Sequence, residues 1–150
     1  MALEQNDKQP SLVWVDCEMT GLDTAKDVLV EIAVLVTDSE LNVIGEGVDV
    51  VINATPEQLA GMDEFVTKMH TDSGLINEIP NGITVSEAED LILNYLESAG
   101  VASGKSPLAG NSVYVDRMFI ARDMPRLSEY LHYRTVDVSS IKELTRRWRS

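Results

Sequence analysis

Leu12-Val13-Trp14-Val15-Asp16-Cys17-Glu18 is the stretch that sets the fold of this 150-residue chain. Four apolar residues in a row end on an acid, as suits a strand buried in the middle of a sheet. Val28 to Val36 (VLVEIAVLV) reads as a second strand. Val43 to Ala54 (VIGEGVDVVINA) reads as a third, more alternating and so half exposed. The polar, turn-forming Asp38-Ser39-Glu40-Leu41-Asn42 between them makes strands two and three an antiparallel hairpin. The Gly21-Leu22-Asp23 region joins strand one to strand two, which completes a three-stranded meander.

The remainder reads largely helical. Thr55-Pro56-Glu57-Gln58 combines an N-cap, a proline at the first helical position and a Gln at the third. Leu59, Met62, Val66 and Met69 follow at helical spacing, so one helix is expected there. Ser86 and Glu89 suggest a second capping box, before an apolar stripe of Ala88, Leu91, Ile92, Tyr95, Leu96 and Ala99. Leu108-Ala109-Gly110 is a short fourth strand, and Val113 to Asp123 a helix stopped by Pro125. Tyr133 to Val138 is a fifth strand, and Ser140-Ile141-Lys142-Glu143 caps a last helix reaching Trp148. A meander followed by alternating helices and strands predicts a mixed sheet flanked by helices. Residues 1–10 read as a flexible tail and 11–150 as one domain.

Composition narrows the function. A chain of this length with 44% apolar residues can bury a single core. No apolar run approaches a membrane span, and Met1 to Pro10 lacks the features of a secretory signal. Cys17 is the only cysteine, so no intrachain disulfide forms, and the default location is cytoplasmic. The net charge of −13 argues against gripping long nucleic acid, which takes a basic surface. Either the protein avoids nucleic acid, its charge serving solubility, or it handles a very short piece through metal ions and a small pocket.

Acidic residues carry the candidate chemistry. Asp16 and Glu18, two apart on a strand, point to one face. Two converging carboxylates repel unless protonated or bridged by a cation, although a solvated turn would also carry such a pair. Asp116, in the first turn of the Val113 helix, is the third candidate, with the helix dipole as its plain structural reason. Asp123, Asp137 and Glu31 read respectively as helix solvation, capping before Ser139 and the polar face of a strand. Three carboxylates on separate elements suit a two-metal site, whose ions stand about 3.5–4 Å apart and clamp a scissile phosphate. That chemistry also wants a general base, most often histidine. Spacing places neither His70 nor His132 beside Asp16.

The run from Leu12 to Asp23 (LVWVDCEMTGLD) resembles the first exonuclease motif of the oligoribonucleases, within the DEDDh superfamily of ribonuclease H-like fold. The resemblance continues through Ile32-Ala33, Val36-Thr37-Asp38, His70 to Leu75 (HTDSGL), Leu108 to Ser112 (LAGNS) with Asp116, and Met124-Pro125. It closes on His132-Tyr133-Arg134, Asp137-Val138-Ser139, Lys142-Glu143-Leu144 and Arg146-Arg147-Trp148. It implies an α/β fold with a mixed five-stranded sheet. It implies hydrolysis dependent on Mg2+ or Mn2+ from the RNA 3′ end, dinucleotides as favoured substrates, and a homodimer. Asp16, Glu18 and Asp116 would hold the metals. Leu22 would part the two bases and Phe65, where the family often has tryptophan, would stack on one, unless it packs in the core beside Met62. Ser112, Arg134 and Ser139 would hold the 5′ phosphate, with Tyr133 and Arg134 reaching in from the partner subunit.

The family's third motif, a histidine followed five residues later by an aspartate, lies downstream of Arg-Arg-Trp and is not among these residues. The expectation is a C-terminally incomplete domain with impaired catalysis, the general base and a fourth carboxylate being missing. Two rivals stand beside this reading. One is a non-catalytic nucleotide-binding or dimerisation module; the other is an unrelated metal-dependent phosphatase using the same acidic pair.

Overall fold

The computed structural model describes residues 9–149, so the expected flexible tail falls, for residues 1–8, outside the described residues. The meander forms as expected: β1 (Leu12–Met19), β2 (Leu29–Thr37) and β3 (Val43–Val51) pair antiparallel. Two further strands, β4 (Pro107–Gly110) and β5 (His132–Asp137), add in parallel on the other side of β1. The sheet order is β3-β2-β1-β4-β5, which puts β1 at the centre of a mixed five-stranded α/β sheet. That position accounts for the unbroken apolar run, since both edges and one face of β1 are covered.

Among the described residues seven α-helices follow or interleave: α1 (Pro56–Ala60), α2 (Glu64–Asp72), α3 (Leu75–Glu78), α4 (Val85–Ser98), α5 (Val113–Asp123), α6 (Pro125–Tyr130) and α7 (Val138–Trp148). Val13, Val15, Ile32 and Val34 face the main core, packed against Ile92 and Leu96 of α4, Phe119 and Ile120 of α5 and Leu127 of α6. A smaller core of Val30, Ala54, Leu75 and Ile79 lies under α3. The opposite face of the sheet, with Trp14, Ala33 and Leu35, lines an open cleft of about 700 Å³ that Asp16 also borders. No described helix is long and apolar enough to cross a membrane.

Tertiary demands also shape local geometry. The β2–β3 ladder slips between Val34 and Val36. Tyr95 repairs it: its hydroxyl accepts the Val36 N–H at 2.9 Å and donates to the Ile44 carbonyl at 2.6 Å. Across the slip, Gly47 has φ +77°, and a Cβ there would meet the Val34 carbonyl oxygen at 2.8 Å. Only glycine fits so close an approach in a left-handed conformation.

The departures from sequence expectation have definite causes. The single helix predicted from Thr55 through Met69 breaks at Gly61 and restarts at the N-cap Asp63, whose carboxylate accepts the Val66 N–H at 2.8 Å. The expected capping box of Ser86 and Glu89 does not form: the helix starts two residues earlier, with Thr84 as N-cap accepting the Glu87 N–H at 3.1 Å. Glu89 is free to turn inward, where it accepts from Arg126 Nε at 3.0 Å and the Leu127 N–H at 3.1 Å, capping the unpredicted α6. Leu91, assigned to the apolar stripe, is exposed, and Leu93 packs on the core instead. The last helix begins at Val138 with Asp137 as N-cap rather than Ser140.

Candidate active site

β1 continues as strand through Met19, so Asp16 and Glu18 lie within it and point away from the face that buries Val15 and Cys17. Across the ladder Asp16 meets Ala33 and Glu18 meets Glu31. The third carboxylate arrives by a sharp strand-to-helix turn. Gly110 presses on β1, where a Cβ would meet the Val15 carbonyl oxygen at 2.8 Å, and Ser112 adopts the left-handed conformation at φ 52°. The chain then enters α5, which packs on β1 and carries Asp116, only 6% exposed.

The three carboxylates share one field. Burial, then the charges of Asp16 and Glu18, push the Asp116 carboxyl up to about 7. Burial and Asp16 also raise Glu18, with His70 opposing. None of the three is in an ion pair with a basic side chain among the described residues. Among the described residues, no three His, Cys, Asp or Glu side chains stand close enough together to cage an ion as they are placed. The donor chemistry nonetheless fits a hard divalent cation: oxygen ligands only, excess negative charge and an open cleft beside Asp16. Cys17 faces the core, and burial with the three neighbouring acids holds its thiol well above its ordinary range.

The expected nucleotide-contacting residues divide into groups. Leu22, 72% exposed, caps the loop that leaves β1, and Phe65, 76% exposed, stands out from α2. Phe65 therefore does not pack in the core. His70, buried at the end of α2, bonds through Nε2 to the Met19 carbonyl at 2.8 Å, tying the Phe65 helix to the strand of Asp16 and Glu18. Ser112 and Ser139 are drawn together by Asp137, whose Oδ1 accepts from Ser112 N–H at 2.9 Å, Ser139 N–H at 2.9 Å and Ser139 Oγ at 2.6 Å. Those bonds, the Ser139 hydroxyl foremost, hold Asp137 below the usual carboxylate range.

Tyr133 and Arg134 are not brought to the carboxylates within one chain. Both are exposed on β5, and Arg134 lines a second cleft of about 390 Å³ with Leu12, Lys105 and Pro107, at the far ends of β1 and β4. His132 stacks on Tyr133 with ring centroids 4.4 Å apart, and its Nδ1 accepts the Arg134 N–H. Sequence reasoning missed Asp27, Arg122 and the linking role of Asp137. Polar residues in a loop or at a helix end look solvated until the partner elements are known.

A family model described as exonuclease (RNase T) matches residues 13–150. The oligoribonuclease of Cutibacterium acnes is 58% identical over 137 residues, covering 91% of this chain and 68% of the relative. That of Rhodococcus jostii is 60% identical over 141 residues, covering 93% and 71%. That of Mycobacterium avium is 59% identical over 138 residues, covering 91% and 64%. Among solved structures, a metal-free E. coli exonuclease I–ssDNA complex superposes with TM-score 0.70 at 20% identity, covering 94% of this chain and 31% of that one. A product-bound exonuclease I gives TM-score 0.69 at 19% identity, covering 95% and 33%. The sheet order, the carboxylates on its central strand and these likenesses agree: the chain belongs to the RNase T exonuclease family, beside its oligoribonucleases.

Proposed function

We propose that this protein is a 3′-to-5′ exoribonuclease that degrades short oligoribonucleotides, chiefly dinucleotides, to nucleoside 5′-monophosphates. The observation that carries the reading is the meeting of Asp16, Glu18 and Asp116 on β1 and α5: none is ion-paired to Lys or Arg among the described residues, and burial, then the charges of Asp16 and Glu18, push Asp116 up to about 7. These three would hold Mg2+ or Mn2+. A bound pair of such ions supplies Lewis-acid polarisation of the phosphate and a nucleophilic water at neutral pH.

The chain's own residues do the rest. Leu22 enters between the two bases, and Phe65 offers an aromatic face whose stacking is worth ~1–3 kcal/mol per base. Ser112 and Ser139, aligned by Asp137, receive the 5′ phosphate. Arg134 suits a forked phosphate contact better than lysine would. Its distance from the carboxylates within one chain favours delivery, with Tyr133, from a second copy, and so a homodimer. A pocket closed around a terminal phosphate admits short RNA and rejects long duplexes, which fits a chain of net charge −13. The location proposed is the cytoplasm, the default reading, with which a single cysteine is compatible.

Among the described residues no histidine is free to take a proton beside the carboxylates: His70 is tied to Met19 and His132 to Tyr133 and Arg134. Lack of a positioned base lowers a rate by ~10²–10⁴-fold. These 150 residues by themselves therefore turn over slowly, which keeps a dinucleotide-binding module as the second reading. Titrating Mg2+ while following cleavage of pApA and of a simple phosphomonoester by chromatography tests both. Slow release of AMP supports the nuclease, binding without cleavage the module, and hydrolysis of the phosphomonoester alone overturns both.

A further inference from the structure

The loop between β1 and β2 is not held by its own backbone alone. Asp27, buried under it, accepts from Thr20 Oγ1 at 3.0 Å through one carboxylate oxygen and from the Asp23 N–H at 2.9 Å through the other. A Cβ on Gly21 would meet that carboxylate at 2.3 Å, so the turn is folded directly onto it. Thr20 closes the base of the loop by pairing with Val28 in both directions. The loop is a stiff platform, and Leu22 stands on it with nearly three quarters of its surface in solvent.

One side chain from elsewhere in the chain reaches this platform. Arg122, near the C-terminal end of α5, donates through Nη1 to the Thr24 carbonyl and through Nη2 to the Asp27 carbonyl at 2.6 Å. Its fork is set in place by Asp123, which accepts from Nε at 2.8 Å and from Nη2 at 2.7 Å, and by the Phe119 ring 5.1 Å beneath. Phe119 is fully buried. The guanidinium therefore has a fixed seat in the helix that carries Asp116, and its remaining donors fix the loop that carries Leu22. Such a fork serves several acceptors at once, which a lysine ammonium cannot do with the same geometry.

We propose that Arg122 is a positioning residue that straps the Leu22 loop to α5 and so sets how Leu22 parts the bases of a bound dinucleotide. The inference rests on the dinucleotide reading above and deepens it: Arg122 touches no substrate, but it fixes the apolar wedge relative to the Asp116 carboxylate.

The test uses the 150-residue chain, magnesium and a 5′-phosphorylated dinucleotide with a non-hydrolysable bridging linkage and 2-aminopurine as its 3′ base. The emission of 2-aminopurine is quenched by stacking on its neighbour and recovers when a side chain parts the bases. Wild type should brighten the probe on binding, and Leu22→Ala should abolish the gain. Arg122→Ala and Arg122→Lys should each lose at least about half of the gain and bind roughly tenfold more weakly, as removal of charge-assisted hydrogen bonds predicts. Circular dichroism confirms folding, and Arg122→Lys, which keeps the cation over Phe119, decides the matter should Arg122→Ala not fold. A purely structural role would change melting without changing the emission of the bound probe. No brightening by wild type overturns the base-parting role of Leu22 and this inference with it. Full brightening and unchanged affinity in the Arg122 variants, with the Leu22→Ala loss intact, overturn this inference alone.

Discussion

Glu18 and Glu31 stand opposite one another across the β1–β2 ladder, so a carboxylate on the central strand faces a second acid on its neighbour. Burial and Asp49 push the Glu31 carboxyl up to about 7, with Glu18 and Glu78 adding to the shift. Asp116 reaches a similar value from the other side of β1. Negative charge thus converges on this end of the sheet from β1, β2, β3, α3 and α5, and its relief has consequences that can be measured.

The first concerns pH. Both carboxyls have folded values raised above those of an unfolded chain, so the native state keeps protons that the unfolded state releases between about pH 4 and about pH 7. Stability of the metal-free protein therefore falls as pH rises through that window. Thermal melts from pH 5 to pH 8 in a chelator should show the decline, and saturating Mg2+ should flatten it. A melting temperature that rises over the same range would contradict it.

Asp116→Asn removes one of the repelling charges from a buried position. The metal-free variant should melt higher at pH 8, by roughly 2–4 °C for each kcal/mol of repulsion relieved. Its Mg2+ affinity by calorimetry should fall by more than the roughly 10–100-fold that loss of an outer-shell partner costs. Greater stability with poorer metal binding separates a functional carboxylate from a structural one.

Phe65→Ala should leave the fold nearly untouched, within about 0.5 kcal/mol, because the ring is exposed. Binding of a dinucleotide should weaken by ~1–3 kcal/mol, with recovery in Phe65→Trp. Titration of pApA binding by the three proteins checks the order.

Asp137→Ala deletes the acceptor shared by Ser112 and Ser139 and the N-cap of α7. Loss of the cap alone costs ~1 kcal/mol of stability. The preference for a 5′-phosphorylated dinucleotide over its unphosphorylated counterpart should shrink as well, whereas an effect on stability alone would confine Asp137 to capping.

Tyr95→Phe tests the fold rather than the site. It leaves the Val36 N–H and the Ile44 carbonyl without their partner at the β2–β3 slip. The expected loss is ~1–3 kcal/mol in denaturant unfolding, with no change in Mg2+ affinity.

The sequence by itself determined whatever rests on local repetition. An unbroken apolar run gave β1, and a spacing of two put Asp16 and Glu18 on one face. Thr55 followed by Pro56, with Gln58 three residues on, marked the start of α1, where both capping bonds form. Tertiary structure decided what depends on which elements become neighbours. No periodicity signals that Arg122 meets Thr24 and Asp27, that Glu89 leaves its own helix to cap α6, or that Asp137 unites Ser112 and Ser139. Nor could spacing place Asp116 in the field of Asp16 and Glu18, roughly one hundred residues away along the chain. Propensity and period act over a turn or a strand pair, whereas these juxtapositions arise only when burial of the Phe119 and Ile120 face of α5 seats that helix against β1.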